Sequence, residues 1–352
     1  MLPKVTFLLY WDYRRGPIVV GQYPADFNLD IDTIIEFFQA ALQKARISHY
    51  EEVKISQGLA LTYFTGEQTR MLFGVLLDEE ENPDLLRGSL VRLVLKVVKS
   101  GQMPSSAEDW KFLWDTLIEY PKMEIEEKIG EIFSDKIARK IIRYLLEKGT
   151  EFSEDLIMST VGTEEVNPSA IMDIGRTYIE ILQALGILSV VWDKESLKER
   201  ICLVRDVFFL RRRPERYEDL VEAIPGFKEE YESFARDYIV NKKWQEDTEI
   251  IPKLFADPIL YRTLKVLKEK GWISEDEATE QDLLDSLMKL VDYSVAKIHE
   301  RDGERVFYIF SEPVIVLQLP RFTISKTVER LNNEEIDANT LIQYLETIKK
   351  TY

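Results

Sequence analysis

Apolar and polar positions follow two different periods along this chain, and the change of period marks its parts. Lys4–Tyr10 (KVTFLLY) and Pro17–Tyr23 (PIVVGQY) are short β-rich runs on either side of the turn sequence WDYRRG, and together they predict a hairpin. In IDTIIEFFQAALQKA the apolar residues Ile34, Ile35, Phe38 and Leu42 return at helical spacing. Thr33 with Glu36 three places on fits a capping box for that helix, and Asp32 is the alternative cap. Three extended stretches follow, around 52–56, 59–64 and 70–77, and the acidic turn Asp78–Pro83 stops the last. Helices are predicted from Pro83 to Lys99 and over Ala107–Glu119, where Trp110 and Trp114 share a face that either packs on the sheet, the favoured reading, or is exposed for a partner. The order β-β-α-β-β-β-α-α has more hairpins than crossovers, so it predicts an α+β fold with one antiparallel sheet. Gly101–Ser106, polar with Gly and Pro, reads as a linker.

Past residue 120 the pattern repeats. Asp135–Gly149 (DKIARKIIRYLLEKG) and Asp257–Gly271 (DPILYRTLKVLKEKG) are amphipathic helices, each closed by Lys-Gly. Ser153-Glu154-Asp155 and Ser274-Glu275-Asp276 then open a second helix in each copy. A third helix is predicted over Pro168–Gly186 and over Glu280–Asp292. Each copy ends in strand, charged turn, strand and a further extended piece, entered by Glu199-Arg200 and Glu304-Arg305 and closed by Pro214 and Pro320. Helix, helix, helix, wing is the element order of a winged helix. The expected segments are 1–120, a sheet domain; 121–216, the first repeat; 217–256, a charged helical connector; 257–322, the second repeat; and 323–352, helices broken near Asn332-Asn333.

Composition narrows the chemistry. The 352 residues carry 63 acidic and 46 basic side chains, a formal net charge of -17. Residues 1–100 hold 11 basic against 13 acidic side chains, 101–220 hold 17 against 24, and 221–352 hold 18 against 26. The acidity therefore lies in the repeats, which opposes binding to a phosphate backbone. Among several acids, the third helix of the first copy offers only Arg176 as a base, and that of the second only Lys289. One cysteine, Cys202, excludes a disulfide framework and any multi-thiolate metal site, and its strand setting predicts a buried apolar role. His49 and His299 have no triad-like neighbours, and no phosphate-cradling glycine motif is present. The acids at 78–81 lack the alternating spacing of a calcium loop. No catalytic residue, metal site or cofactor is expected. The absence of a long apolar run or secretory leader predicts a cytoplasmic protein.

The opening hairpin, with Trp11-Asp12-Tyr13-Arg14-Arg15-Gly16-Pro17, then Ile18-Val19-Val20 and Tyr23-Pro24, resembles the start of archaeal longin or roadblock-like domains over about 100–120 residues. The resemblance implies a non-catalytic platform that binds a small GTPase or a sibling longin or roadblock subunit. The remainder looks like tandem winged helices, as found in transcription regulators and in assembly subunits of the membrane-remodelling ESCRT machinery. The expectation is thus a longin/roadblock-like antiparallel sheet followed by two winged-helix units with helical braces, acting as a protein-binding scaffold or dimer. Trp11, Arg14 and Arg15 at the hairpin tip are candidate partner contacts. Arg211, Arg212 and Arg213, with Arg216 nearby, form the densest positive cluster, although Glu215, Glu218 and Asp219 stand ready to pair with them. The alternative is a DNA-binding regulator, which would gather Arg211, Arg212, Arg213, Lys194 and Lys198 on one side. An enzyme with an unfamiliar site is a third reading.

Overall fold

Strands β1 (Val5–Asp12) and β2 (Gly16–Tyr23) form the expected hairpin, and Gly16 turns it at φ 80°, a backbone region that disfavours a Cβ. The computed structural model describes residues 3–29, 31–44, 50–55, 58–66, 70–78, 82–100, 102–164, 171–193, 196–301 and 303–352. His49, the acids at 79–81, Gly101, Pro168 and Lys194 lie outside the described residues. The described chain forms two compact units, neither contiguous in sequence: Met1–Met123 with Tyr144–Val204 and Thr323–Tyr352, and Glu124–Arg143 with Arg205–Phe322.

In the first unit, β3 (Tyr50–Ile55), β4 (Gly58–Phe64) and β5 (Met71–Leu77) complete a five-stranded antiparallel sheet in the order β2-β1-β5-β4-β3. Every residue of β4 and β5 is buried, so both faces of the sheet need a cover. Helix α1 (Ile31–Lys44) covers one: Phe37 stacks on Phe7 with ring centroids 5.2 Å apart, and Phe38 meets Trp11 edge-on at 5.2 Å. The helix starts before the residues expected to cap it, so Asp32 lies inside the first turn and Thr33 is buried there. An acid at that position still interacts favourably with the positive helix end. Helix α2 (Asp84–Ser100) lies against β4 and β5 and buries Leu86, Leu90, Val91, Leu93, Val94, Leu95, Val97 and Val98. Helix α3 (Ala107–Glu119) opens with a capping box between Ser106 and Asp109. Its Trp110 is buried against Gly21 and its Trp114 packs on the Tyr23 ring, so the shared tryptophan face does pack on the sheet.

Helix α4 (Ile125–Phe133), not foreseen in the sequence pattern, precedes α5 (Lys136–Lys148), the opening helix of the first repeat. There follow β6 (Thr150–Phe152), α6 (Ser153–Thr160), α7 (Ile171–Ala184), β7 (Leu188–Asp193) and β8 (Lys198–Leu203), with the strands in the order β6-β8-β7. Helix α7 packs on α2 as well as on α6; Tyr63 donates to Thr177 at 3.3 Å, and Arg87 pairs with Glu180 at 3.2 Å. In the second unit, β9 (Asp206–Arg212) precedes α8 (Tyr217–Ala223), α9 (Phe227–Val240) and α10 (Trp244–Ala256). The second repeat has the same order: α11 (Pro258–Lys270), β10 (Trp272–Ser274), α12 (Glu275–Glu280), α13 (Leu284–Asp292), β11 (Ala296–Arg301), β12 (Glu304–Ile309) and β13 (Glu312–Gln318). Helices α14 (Arg321–Asn332) and α15 (Ala338–Thr351) end the chain, broken where expected. The second repeat's third helix is shorter than its sequence pattern implies. Asp282 takes a left-handed φ of 56° and separates α12 from α13.

Hydrogen bonds align the two repeats. Leu203 donates to the Gly149 carbonyl at 3.0 Å and Ile309 to the Gly271 carbonyl at 2.9 Å; Val204 donates to Ile187 at 3.0 Å and Phe310 to Val295 at 2.8 Å. In that register Ser153 matches Glu275 and Glu199 matches Arg305. The shared Ser-Glu-Asp and Glu-Arg landmarks therefore sit one residue out of step. Ser153 follows Gly149 by four residues and Ser274 follows Gly271 by three, while Glu199 precedes Leu203 by four and Glu304 precedes Ile309 by five. The third strands of the two repeats pair with each other symmetrically: Asp206 faces Gln318, Phe209 faces Ile315 and Arg212 faces Glu312.

A Cβ on Gly74 would lie 2.0 Å from Cζ of Phe7, a fully buried ring already stacked on Phe37. Gly74→Ala should therefore destabilise the fold by about 1–3 kcal/mol, read as a lowered urea midpoint.

Candidate interaction surfaces

The tip of the β1–β2 hairpin is held by one carboxylate. Asp12 Oδ1 accepts from the backbone N–H groups of Arg14 at 2.7 Å and Arg15 at 2.9 Å, and those bonds hold its carboxyl below the usual range. The turn presents Tyr13, Arg14 and Arg15 to solvent, with the Arg70 guanidinium 3.5 Å above the Tyr13 ring. The side chains of Arg14 and Arg15 make no ion pair among the described residues. Trp11 is different: it is half-buried on the α1 side of the sheet and supports the tip from beneath. The hairpin thus brings Arg14 and Arg15 together at the surface and withdraws Trp11.

The arginine run is split by burial. Arg211 is 6% exposed, and its Nε and Nη2 grip Asp247 at 2.8–3.1 Å. Its Nη1 donates to the carbonyls of Tyr293 at 2.7 Å and Ser294 at 3.0 Å, so every face of the guanidinium is used inside the second unit. Tyr238 donates to Asp247 at 2.7 Å; burial, and then that bond, push its hydroxyl pKa up. Arg211 is a structural clamp inside the second unit. Arg212 is half-exposed and pairs with Glu215 and with buried Glu312, which also binds Lys268 at 2.7 Å. Arg213 remains mostly exposed, its guanidinium 4.7 Å above the Tyr217 ring. The sequence does carry a signal for the clamp. Asp247, Ile251 and Leu254 recur at helical spacing, which sets an acid on the apolar stripe of α10.

The third helices offer no cationic face. Along α7 only Ala184 is exposed, because α2 and α6 cover the rest. The exposed residues of α13 are Asp285, Met288, Lys289 and Asp292. Cys202 is buried, and burial raises its thiol pKa, which agrees with an inert apolar role. A polar cleft of about 420 Å³ lies between the first repeat and the α14–α15 turn, lined by Glu151, Asp193, Arg200, Arg330, Glu335 and Asp337 among others. Each of these charges is already engaged. Arg200 holds Asp193 at 2.9 Å, Arg330 holds Glu335 at 3.4 Å, Asp337 caps α15, and Glu151 accepts from Tyr144 at 2.9 Å. Among the described residues no group of three His, Cys, Asp or Glu side chains is placed to hold a metal ion, and no helix is long and apolar enough to cross a membrane.

Removing one partner of the clamp leaves a buried charge, so Asp247→Ala should cost about 3–5 kcal/mol in urea unfolding. Arg213→Ala should cost less than about 1 kcal/mol because its pairs are exposed. Burial pushes the Glu312 carboxyl up, but hydrogen bonds from Arg212 and Lys268 outweigh it and hold the carboxyl below its ordinary 4.5. A group lowered in the folded state stabilises above its ordinary value and loses that contribution as pH falls. Glu312→Gln should therefore be less stable than the parent at neutral pH, with the difference shrinking as pH drops below 4.5. No protein-family model, curated protein or solved structure matches this chain, so these surfaces stand on their own chemistry.

Proposed function

We propose that the chain is a non-enzymatic scaffold or regulator that docks a small GTPase, or a sibling longin or roadblock subunit, through its N-terminal sheet domain. The two repeats serve as winged-helix-like protein-interaction modules. One observation carries the protein-binding reading over the DNA-binding one: α7, the helix that a groove-reading winged helix would expose, is covered along its length. The exposed side of α13 is acidic on balance and would meet phosphates with repulsion. The sheet order β2-β1-β5-β4-β3 and the matching element order of both repeats agree with the resemblance.

The mechanism is docking without chemistry. Helices α1 and α2 occupy the sheet faces, which leaves the outward side of α1, the sheet edges and the hairpin tip for a partner. The Tyr13–Arg70 stack and the two arginines form a cationic, aromatic point on an acidic chain, suited to an acidic rim on the partner.

A tagged pull-down from native cytosol in GDP and in a non-hydrolysable GTP analogue should enrich one GTPase in one nucleotide state. Arg14→Glu with Arg15→Glu should reduce that recovery by about ten-fold without lowering the urea midpoint, since both side chains are exposed. No GTPase in either state would sink the proposal. Nuclease-sensitive recovery of DNA-associated proteins would favour a DNA-binding regulator instead.

A further inference from the structure

The hydrogen-bond alignment of the repeats equates the paired strands of their hairpins, whose turns differ in length by two residues. Trp192 in β7 matches Glu300 in β11, and Leu197 precedes β8 as Gly303 precedes β12. Each of β7 and β11 is an edge strand of its sheet. An edge strand presents unpaired N–H and C=O groups, and natural proteins blunt such edges with charge. β11 (AKIHER) is blunted in that way by Lys297 and Glu300. β7 (LSVVWD) has no charged side chain until Asp193, and Asp193 is 5% exposed and locked to Arg200. Among the described residues only β8 pairs with β7.

The end of this open edge is apolar at a conformational cost. Trp192 is 57% exposed and Leu197 is 68% exposed. Leu197 has φ 55°, a left-handed conformation uncommon for a bulky side chain, and the residue that likewise precedes the second strand of the other hairpin is glycine at φ 86°. With Phe152 these two side chains line a hollow of about 160 Å³. Its lining carries Lys198, paired with Glu154 at 3.5 Å, then Arg176, and Glu199, directly opposite Trp192 in the sheet register. Glu199 has no ion pair within 4 Å among the described residues, although Arg176 acts on it at longer range. Burial raises the Glu199 carboxyl pKa, with Arg176 partly offsetting it, so an arriving cation would relieve the cost of that burial.

We propose that β7 is a docking edge for an extended, basic segment of a partner protein, which adds to the sheet as a fourth strand. Main-chain hydrogen bonds to β7 supply the affinity, and alternate apolar side chains of the segment seat against Trp192 and Leu197. A Lys or Arg on the segment lies over the Trp192 indole, where a cation is attracted to the ring face, and reaches toward Glu199. The net charge of -17 favours a basic occupant over an acidic one. Occupancy of this edge does not require any partner on the N-terminal sheet domain.

The test uses the full chain and a capped octapeptide alternating valine and arginine at millimolar concentration, read by hydrogen exchange and mass spectrometry. The peptide should slow exchange over 188–193, whereas a valine–glutamate isomer and a proline-interrupted version should not. Trp192→Glu with Leu197→Gly changes two exposed side chains and places glycine at the left-handed position, so the fold should survive with an unchanged urea midpoint. Binding of the basic peptide should fall by about ten-fold or more. Absence of protection at β7, equal protection by the acidic isomer, or unaltered binding to the variant would each overturn the proposal. So would protection of β7 that rises with protein concentration alone, which would assign the edge to a second copy.

Discussion

Strands β4 and β5 are buried at all of their residues, and most of the first unit follows from the need to cover them twice. The β1–β5 face that holds Phe7 takes α1, whose Phe37 and Phe38 fill it. The other face takes α2, and α2 is itself too apolar to leave its outer side in water. Its buried leucines and valines run around more than half of the helix, so a second cover is required. That cover is α7, taken from the first repeat. A helix that would otherwise face solvent or a partner is thereby committed to the core.

The second unit solves a different problem, that of burying charge. Arg211, Asp247 and Tyr238 form a closed set in which each hydrogen-bonding group finds a partner. Glu312 is similarly closed by Arg212 and Lys268. Such groups add little net stability when intact and cost much when broken, so they define which packing is allowed more than how strong it is. Their position beside the β9–β13 pair is consistent with that role, because a slip of one residue in that ladder would move Arg212 away from Glu312.

Much of this organisation is legible in the residues. The β-β-α-β-β-β-α-α order, the capped tryptophan helix α3, the glycine-closed helices of both repeats and the break between α14 and α15 all follow from period, caps and turn residues. Boundaries are less so. Helix α4 escapes the sequence pattern because its apolar positions merge with the charged approach to α5, and α1 begins ahead of its apparent caps. The repeat itself is visible, but its two most conspicuous landmarks are out of structural register by one residue. In a strand, that shift moves a side chain to the opposite face.

Local features follow from the chain alone. Hydrophobic period sets which segments are helix or strand, Gly and Pro set where they turn, and side-chain counts set the acidity and the lack of a thiolate cluster. Packing in three dimensions selects which of several similar side chains stay in water. Arg211 and Arg213 are two residues apart and chemically identical, yet one is sealed around Asp247 and the other is exposed. Trp110 is buried while Trp192 faces solvent. The reason is that burial depends on which distant element arrives to cover a surface, and that information is carried by the summed packing of both partners rather than by the spacing of residues within either one.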